Sequence, residues 1–169
     1  MPRVLIVEGP DNVGKTTFLN LLNYPIHHAS GSMDAIQAEA ELGWIVSQPD
    51  VAMLDRSMIG EYVYGPSYRG SRPSARYDEV VQGLRSLDPL ILLIYAVKSD
   101  FIRLGQREKS DEHLSLQRTD EAESISRSFV RVLCETGPWN VRIFPLGAFE
   151  SLDDLHVMMH EAVHRWMES

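Results

Sequence analysis

Eight residues near the start, Gly9-Pro-Asp-Asn-Val-Gly-Lys-Thr16, constrain what this chain can fold into more than any other stretch. They satisfy G-x-x-x-x-G-K-[ST], and the flanks give that pattern its meaning. Val4-Leu-Ile-Val7 is a short apolar, β-branched run, and Thr16 to Leu22 has helical spacing, so a strand, a tight loop and a helix follow one another. Wrapped around phosphates, such a loop turns its backbone N–H groups inward, with Lys15 reaching the β and γ oxygens and the Thr16 hydroxyl binding Mg²⁺. The positive end of the helix dipole favours the anion. We assign nucleoside triphosphate binding to Gly9, Asp11, Asn12, Val13, Gly14, Lys15, Thr16 and Thr17, with ATP and Mg²⁺ as cofactors. The bland alternative is a glycine-rich turn that binds nothing.

The same alternation runs through the rest of the chain. Ile26 to Ala29, Val51 to Leu54, Leu90 to Val97 and Val141 to Phe144 read as strands. Asp34 to Ser47, Ser57 to Tyr64, Ala75 to Leu87, Phe101 to Lys109, Asp120 to Glu135 and Leu152 to Met167 read as helices. Gly65 to Pro73 is rich in breakers and reads as a loop. Strands alternating with helices favour a mostly parallel α/β sheet with helices on both faces, the three-layer P-loop NTPase sandwich. With 169 residues and no long linker or repeat, we expect one domain over 1–169.

Composition removes other classes. The longest apolar run, Leu90 to Val97, is eight residues, against the roughly 18 or more that a spanning helix requires. The opening Met-Pro-Arg leads straight into a strand, without the layout of a signal peptide, so a cytoplasmic protein is expected. The single cysteine, Cys134, cannot form an internal disulfide and reads as a small buried hydrophobe. The net charge is −8, yet residues 56–118 hold 10 basic and 8 acidic side chains, and 13 of the 16 basic residues are Arg. A positive, arginine-rich middle inside an acidic shell suits a small phosphorylated substrate better than a long duplex.

A second constellation stands at the end of the Val51 run, where Asp55-Arg56-Ser57 puts a carboxylate and a guanidinium at the strand terminus at which open parallel sheets bind ligands. Asp55 could join Thr16 in holding Mg²⁺ or take a proton from an attacking oxygen, and Arg56 could brace an acceptor. A plain surface ion pair is the alternative. A base-reading Asn-Lys-x-Asp run, expected of a GTPase switch, is missing.

With Glu8-Gly-Pro-Asp-Asn-Val-Gly-Lys-Thr-Thr17, Asp55-Arg56-Ser57 and Tyr64 nine residues after Asp55, the chain resembles the thymidylate kinase and deoxynucleoside kinase group of P-loop phosphotransferases. The resemblance implies that Arg56 stands at the phosphoryl acceptor, that Asp11 lies near a deoxyribose, and that Tyr64 excludes a ribose 2′-hydroxyl. Tyr62 and Tyr64 read equally well as core aromatics. Glu61, Tyr64 and Arg69 join Asp11 and Arg56 as acceptor-side residues. The resemblance also implies a lid over about 103–118, whose Arg103 or Arg107, with Lys109 and Arg118 nearby, closes on the transferring group. A solvated charged helix face is the alternative.

The chain departs from that group in having His27-His28-Ala29 where thymidylate kinases carry Arg-Glu-Pro, and in an arginine-free helix after it, so nothing fixes the base. Arg69, Arg72 and Arg76 could take over acceptor contacts. That gap supports a phage-type alternative, a viral kinase acting on 5-hydroxymethyluracil within DNA, for which Tyr62 to Arg76 would hold the strand. The expected activity is ATP-dependent phosphoryl transfer to a deoxynucleotide-type small molecule by Lys15, Asp55, Arg56, Arg103 and Arg107. A nucleotide-regulated binding protein is the non-enzymatic alternative. No membrane partner is expected, and a homodimer is left open. His156, His160 and His164 recur at helical spacing and read as the wet edge of an amphipathic helix rather than a metal stripe.

Overall fold

Successive side chains along the inner strands leave for opposite cores, the pattern of strands covered on both faces. In β1 (Arg3–Glu8), Val4 and Ile6 enter one core and Leu5 and Val7 the other. In β3 (Val51–Asp55) and β4 (Leu90–Tyr95), Ala52, Leu54, Ile91 and Leu93 join the first core, while Val51, Met53, Leu90, Leu92 and Ile94 join the second. With β2 (Ile26–His28) and β5 (Asn140–Pro145) they form one sheet of order β2-β3-β1-β4-β5, every pairing parallel. The computed structural model describes residues 1–29, 31–103 and 120–169.

Helices close both faces. Against the first core lie α2 (Ala35–Ser47), α4 (Ala75–Arg85) and α6 (Ala122–Thr136), contributing Ile45, Tyr77, Leu84 and Phe129 among others. Against the second lie α1 (Lys15–Asn20), through Phe18 and Leu19, and α7 (Leu152–Glu168), through Leu155, Met159 and Val163. Each such side chain contributes roughly 1.5–3 kcal/mol by leaving water. Two further helices are short, α3 (Gly60–Tyr64) and α5 (Lys98–Arg103). Helix starts follow from local chemistry: Asp34 and Gln37 cap each other's backbone at α2, Ser74 caps α4, and Ser151 caps α7.

Several expectations need adjustment. Gly65–Arg69 is a π-type turn rather than a loop; Pro66 is tolerated in its first turn, and Gly70, at φ 62°, ends it in the left-handed conformation. Helix α3 begins at Gly60, not Ser57, because Ser57 is held by other partners described below. Helix α5 begins at Lys98, where the Asp100 carboxylate accepts the Val97 N–H at 2.9 Å. Cys134 is exposed and not a buried hydrophobe, since Val132 and Leu133 already turn the core face of α6 inward. Beyond Arg103, the stretch expected to form the lid, with Arg107, Lys109 and Arg118, lies outside the described residues. Among the described residues, no helix is long and apolar enough to cross a membrane.

Ser126 joins α6 to the end of β4. Its buried hydroxyl accepts the Ala96 N–H at 3.0 Å and donates to the Ala96 carbonyl at 3.1 Å. Ser126→Ala leaves both backbone groups buried and unpaired, so the urea unfolding midpoint should fall by the equivalent of about 2 kcal/mol. Ser124→Ala, on the exposed side of the same helix, should move it by less than about 0.5 kcal/mol.

Candidate active site

The loop leaving β1 is shaped by its neighbours. Gly9 has φ 142°, and a Cβ there would stand 2.7 Å from the Ile94 carbonyl oxygen, so only glycine fits. Gly14 has φ 83°, with His156 Nε2 3.0 Å from where its Cβ would be. Asn12 also takes a positive φ, 60°. Val13 is buried in the second core and anchors the loop, whereas Thr16 and Thr17 face outward. No side chain caps the start of α1, which leaves its first N–H groups open to an anion.

Lys15 is only 6 % exposed. Its Nζ donates to the Gly9 carbonyl at 3.1 Å and to the Pro10 carbonyl. Burial lowers its pKa from 10.5 to about 8, opposed by the negative charges of Asp55 and Glu8. Parallel pairing sets Val7 opposite Asp55, so the loop and the end of β3 lie side by side. The Thr16 hydroxyl donates to Asp55 Oδ2, and His28 Nδ1 lies 3.1 Å from the same oxygen. Hydroxyl and carboxylate oxygens are the donors Mg²⁺ takes, and among the described residues no group of three or more His, Cys, Asp or Glu could hold a metal. A site with two protein oxygens that leaves the remaining positions to phosphate and water therefore fits Mg²⁺ and not a closed protein cage.

Arg56 follows directly, with φ 65°. Its guanidinium pairs with Asp11 of the loop and lies over the Tyr64 ring, 6.0 Å from the centroid. Beside it is a cavity of about 30 Å³ lined by Met33, Arg56, Ser57, Glu61 and Tyr64, among others. Glu61 closes one wall, accepting the Met33 N–H at 3.1 Å and pairing with Arg69. Tyr64 also packs edge-on to Phe129 at 5.9 Å, so it contributes both to the core and to this cavity. Tyr62 donates to Asp78 and meets the edge of Tyr77, placing it on the core side of the alternatives.

Other basic residues are engaged elsewhere. Arg103 donates to the Phe149 carbonyl at 2.6 Å and the Leu146 carbonyl at 3.0 Å, tying α5 to the segment after β5. Arg76 makes a bidentate pair with Glu39 of α2. The histidine stripe divides: His160 and His164 are exposed, but His156 is buried, its ring 5.7 Å from Phe18 and its Nε2 against Gly14. That contact corrects the expectation of a wet edge at His156.

Three residues near this region escaped the sequence reading. His28 shares Asp55 with Thr16, and only the β2–β3 register, which sets His28 opposite Asp55, could have pointed to it. Glu8 is fully buried, and its Oε1 accepts both the N–H and the hydroxyl of Ser57 at 2.8 Å. Burial raises its pKa to about 7 against the opposing pull of Ser57, Lys15 and Arg56. Glu41, on α2, is only 2 % exposed. Burial and then the charge of Glu8 push its pKa from 4.5 to about 8.

The YorR protein of Bacillus subtilis, solved in complex with phosphorylated GDP, aligns with a TM-score of 0.69 over 98 % of this chain and 98 % of that one, at 19 % identity. Deoxyadenosine kinase from M. mycoides with bound dATP gives 0.60 over 94 % of this chain and 98 % of that one, at 11 % identity. No protein-family model and no curated protein sequence matches the chain. The likeness is one of fold, and with the five-stranded parallel sheet it shows an α/β P-loop NTPase fold.

The buried carboxyls make stability fall with rising pH. Both hold their proton more tightly in the fold than in the unfolded chain, so between pH 4.5 and about 8 the native state binds more protons. Glu41→Gln keeps the volume and has no charge to bury. It should match the parent in urea unfolding near pH 4.5 and exceed it at pH 8 by on the order of a few kcal/mol.

Proposed function

We propose that this chain is a P-loop phosphotransferase that moves the γ-phosphoryl group of ATP to a deoxynucleotide-type acceptor. One observation carries the reading: the Arg56 guanidinium, set at the end of β3, bonds to Asp11 of the phosphate loop while also lining the cavity beside Tyr64 and Glu61. A single cation thus stands between a triphosphate loop and a small cleft. A loop that only bound and released nucleotide would have no use for it.

The loop N–H groups and Lys15 hold the β and γ oxygens and stabilise the charge that spreads over them during transfer. Thr16 and Asp55 would hold Mg²⁺, which would supply further neutralisation of the triphosphate's charge. Arg56 braces the acceptor, with Asp11, Glu61, Tyr64 and Arg69 around it. The acceptor oxygen attacks in line, its bond to the γ-phosphorus forming as the bridging P–O bond breaks and ADP leaves; a hydroxyl acceptor passes its proton to Asp55, and a phosphate oxygen has none to lose. Arg103 would have to leave the Leu146 and Phe149 carbonyls to reach the transferring group, which favours Arg107 as the lid arginine. Tyr64, by its resemblance role, selects against a ribose 2′-hydroxyl.

An acceptor panel with γ-labelled ATP tests the reading, using the four deoxynucleosides, their 5′-monophosphates and DNA containing 5-hydroxymethyluracil. Label should move to a deoxynucleoside or its monophosphate. Label in the DNA would make this the viral-type DNA kinase, and label only in free phosphate would make it a nucleotide-regulated protein. Lys15→Ala should lower turnover by about three powers of ten or more with circular dichroism unchanged. Tyr64→Ala should narrow the preference for deoxy over ribo acceptors about ten-fold in kcat/KM.

A further inference from the structure

Arg56 takes a left-handed backbone conformation, φ 65°, which a residue with a Cβ disfavours. Something outside the residue must hold it there. On its N-terminal side the Arg56 N–H donates to the Val7 carbonyl at 3.1 Å. On the other side, both donors of Ser57 converge on Glu8 Oε1 at 2.8 Å, and the Ser57 hydroxyl accepts the Ile59 N–H at 3.2 Å. The turn is therefore clamped to the last two residues of β1.

Glu8 is an expensive residue to place there. It is fully buried, its Oε2 has no hydrogen-bond partner, and Glu41 of α2 adds a second negative charge that interacts with it. Packing alone would be served better by an apolar side chain, because a buried carboxylate loses its hydration. Lys15 and Arg56 are the cations that face it, one from each side of the proposed reaction.

We propose that Glu8 is a positioning residue, which clamps Ser57 so that Arg56 is held left-handed and aimed at the acceptor. This rests on the reading above that Arg56 braces the acceptor. Glu8 immediately precedes Gly9, so the strand end that opens the phosphate loop also sets the acceptor cation. Donor and acceptor groups are then referenced to one rigid point of the sheet.

Crystal structures and initial-rate kinetics of Glu8→Ala, Glu8→Gln, Arg56→Ala and the Glu8→Ala/Arg56→Ala double variant test this, with the four deoxynucleoside 5′-monophosphates as acceptors. In the Glu8→Ala structure, Arg56 should return to negative φ and leave Asp11, an outcome that needs no acceptor. The acceptor KM should rise about ten-fold or more, while the KM for ATP stays within about two-fold. Glu8→Gln keeps an accepting oxygen in place and should restore the acceptor KM to within about three-fold of the parent. In the double variant, Glu8→Ala should add nothing to the effect of Arg56→Ala. Arg56 remaining left-handed and on Asp11 in Glu8→Ala, or additive losses in the double variant, would overturn the proposal. An acceptor KM unmoved by Arg56→Ala would instead sink the bracing role of Arg56, leaving the structures to decide whether Glu8 sets its backbone. Should Glu8→Ala fail to fold, Ser57→Ala removes one of the two donors and should show the same KM split, smaller in size.

Discussion

Val7 pairs with Asp55 in parallel, and that pairing decides where the chemistry can be. Parallel strands in register end together, so the loop after β1 and the turn after β3 emerge side by side at the carboxyl edge of the sheet. Pairing on the other flank, with β4, brings the Ile94 carbonyl close enough to Gly9 to forbid any side chain there. The loop can leave the strand along one path only. The candidate site, from Lys15 to Arg56, is placed by the ends of three strands whose apolar residues are locked into two cores.

Within that frame, charge is concentrated where water is scarce. Glu8, Lys15 and Asp55 are all buried or nearly so, and burial works against the charged form of Glu8 and of Lys15. Such an arrangement lowers the stability of the fold, but the dipoles and charges need little reorganisation when a polyanion arrives. Lys15 bonds to the Gly9 and Pro10 carbonyls, so its ammonium is oriented from within the loop. Met33 and Glu61 line the neighbouring cavity of about 30 Å³, and Arg69 pairs with Glu61.

Much of this was legible in the sequence because its signals are local. The glycines and Lys15-Thr16 sit at fixed spacing, and Asp55-Arg56 follows an apolar run that announces a buried strand. The layering followed from alternating periodicity. What escaped was set by pairing across the sheet. His28 reaches Asp55 only through the β2–β3 register, and Glu8 finds Ser57 only because β1 and β3 end together. Glu41 did carry a signal: with Ala38 and Ile45 it lies at helical spacing on the buried side of α2, yet its polar neighbours make the segment look solvated. Cys134 misled in the opposite direction, an outward residue among apolar neighbours. The stretch between Arg103 and Asp120, with Arg107, lies outside the described residues, and the lid stands as a proposal.

The ring of His156, set against Gly14, joins segments far apart along the chain. During synthesis the glycine loop leaves the ribosome early and the helix bearing that imidazole follows much later. Until α7 docks, the nascent loop has no backing on that side and Phe18 has one aromatic neighbour fewer. Vectorial folding can therefore pair the earlier strands without completing this loop, which gains its backing only once α7 has been made.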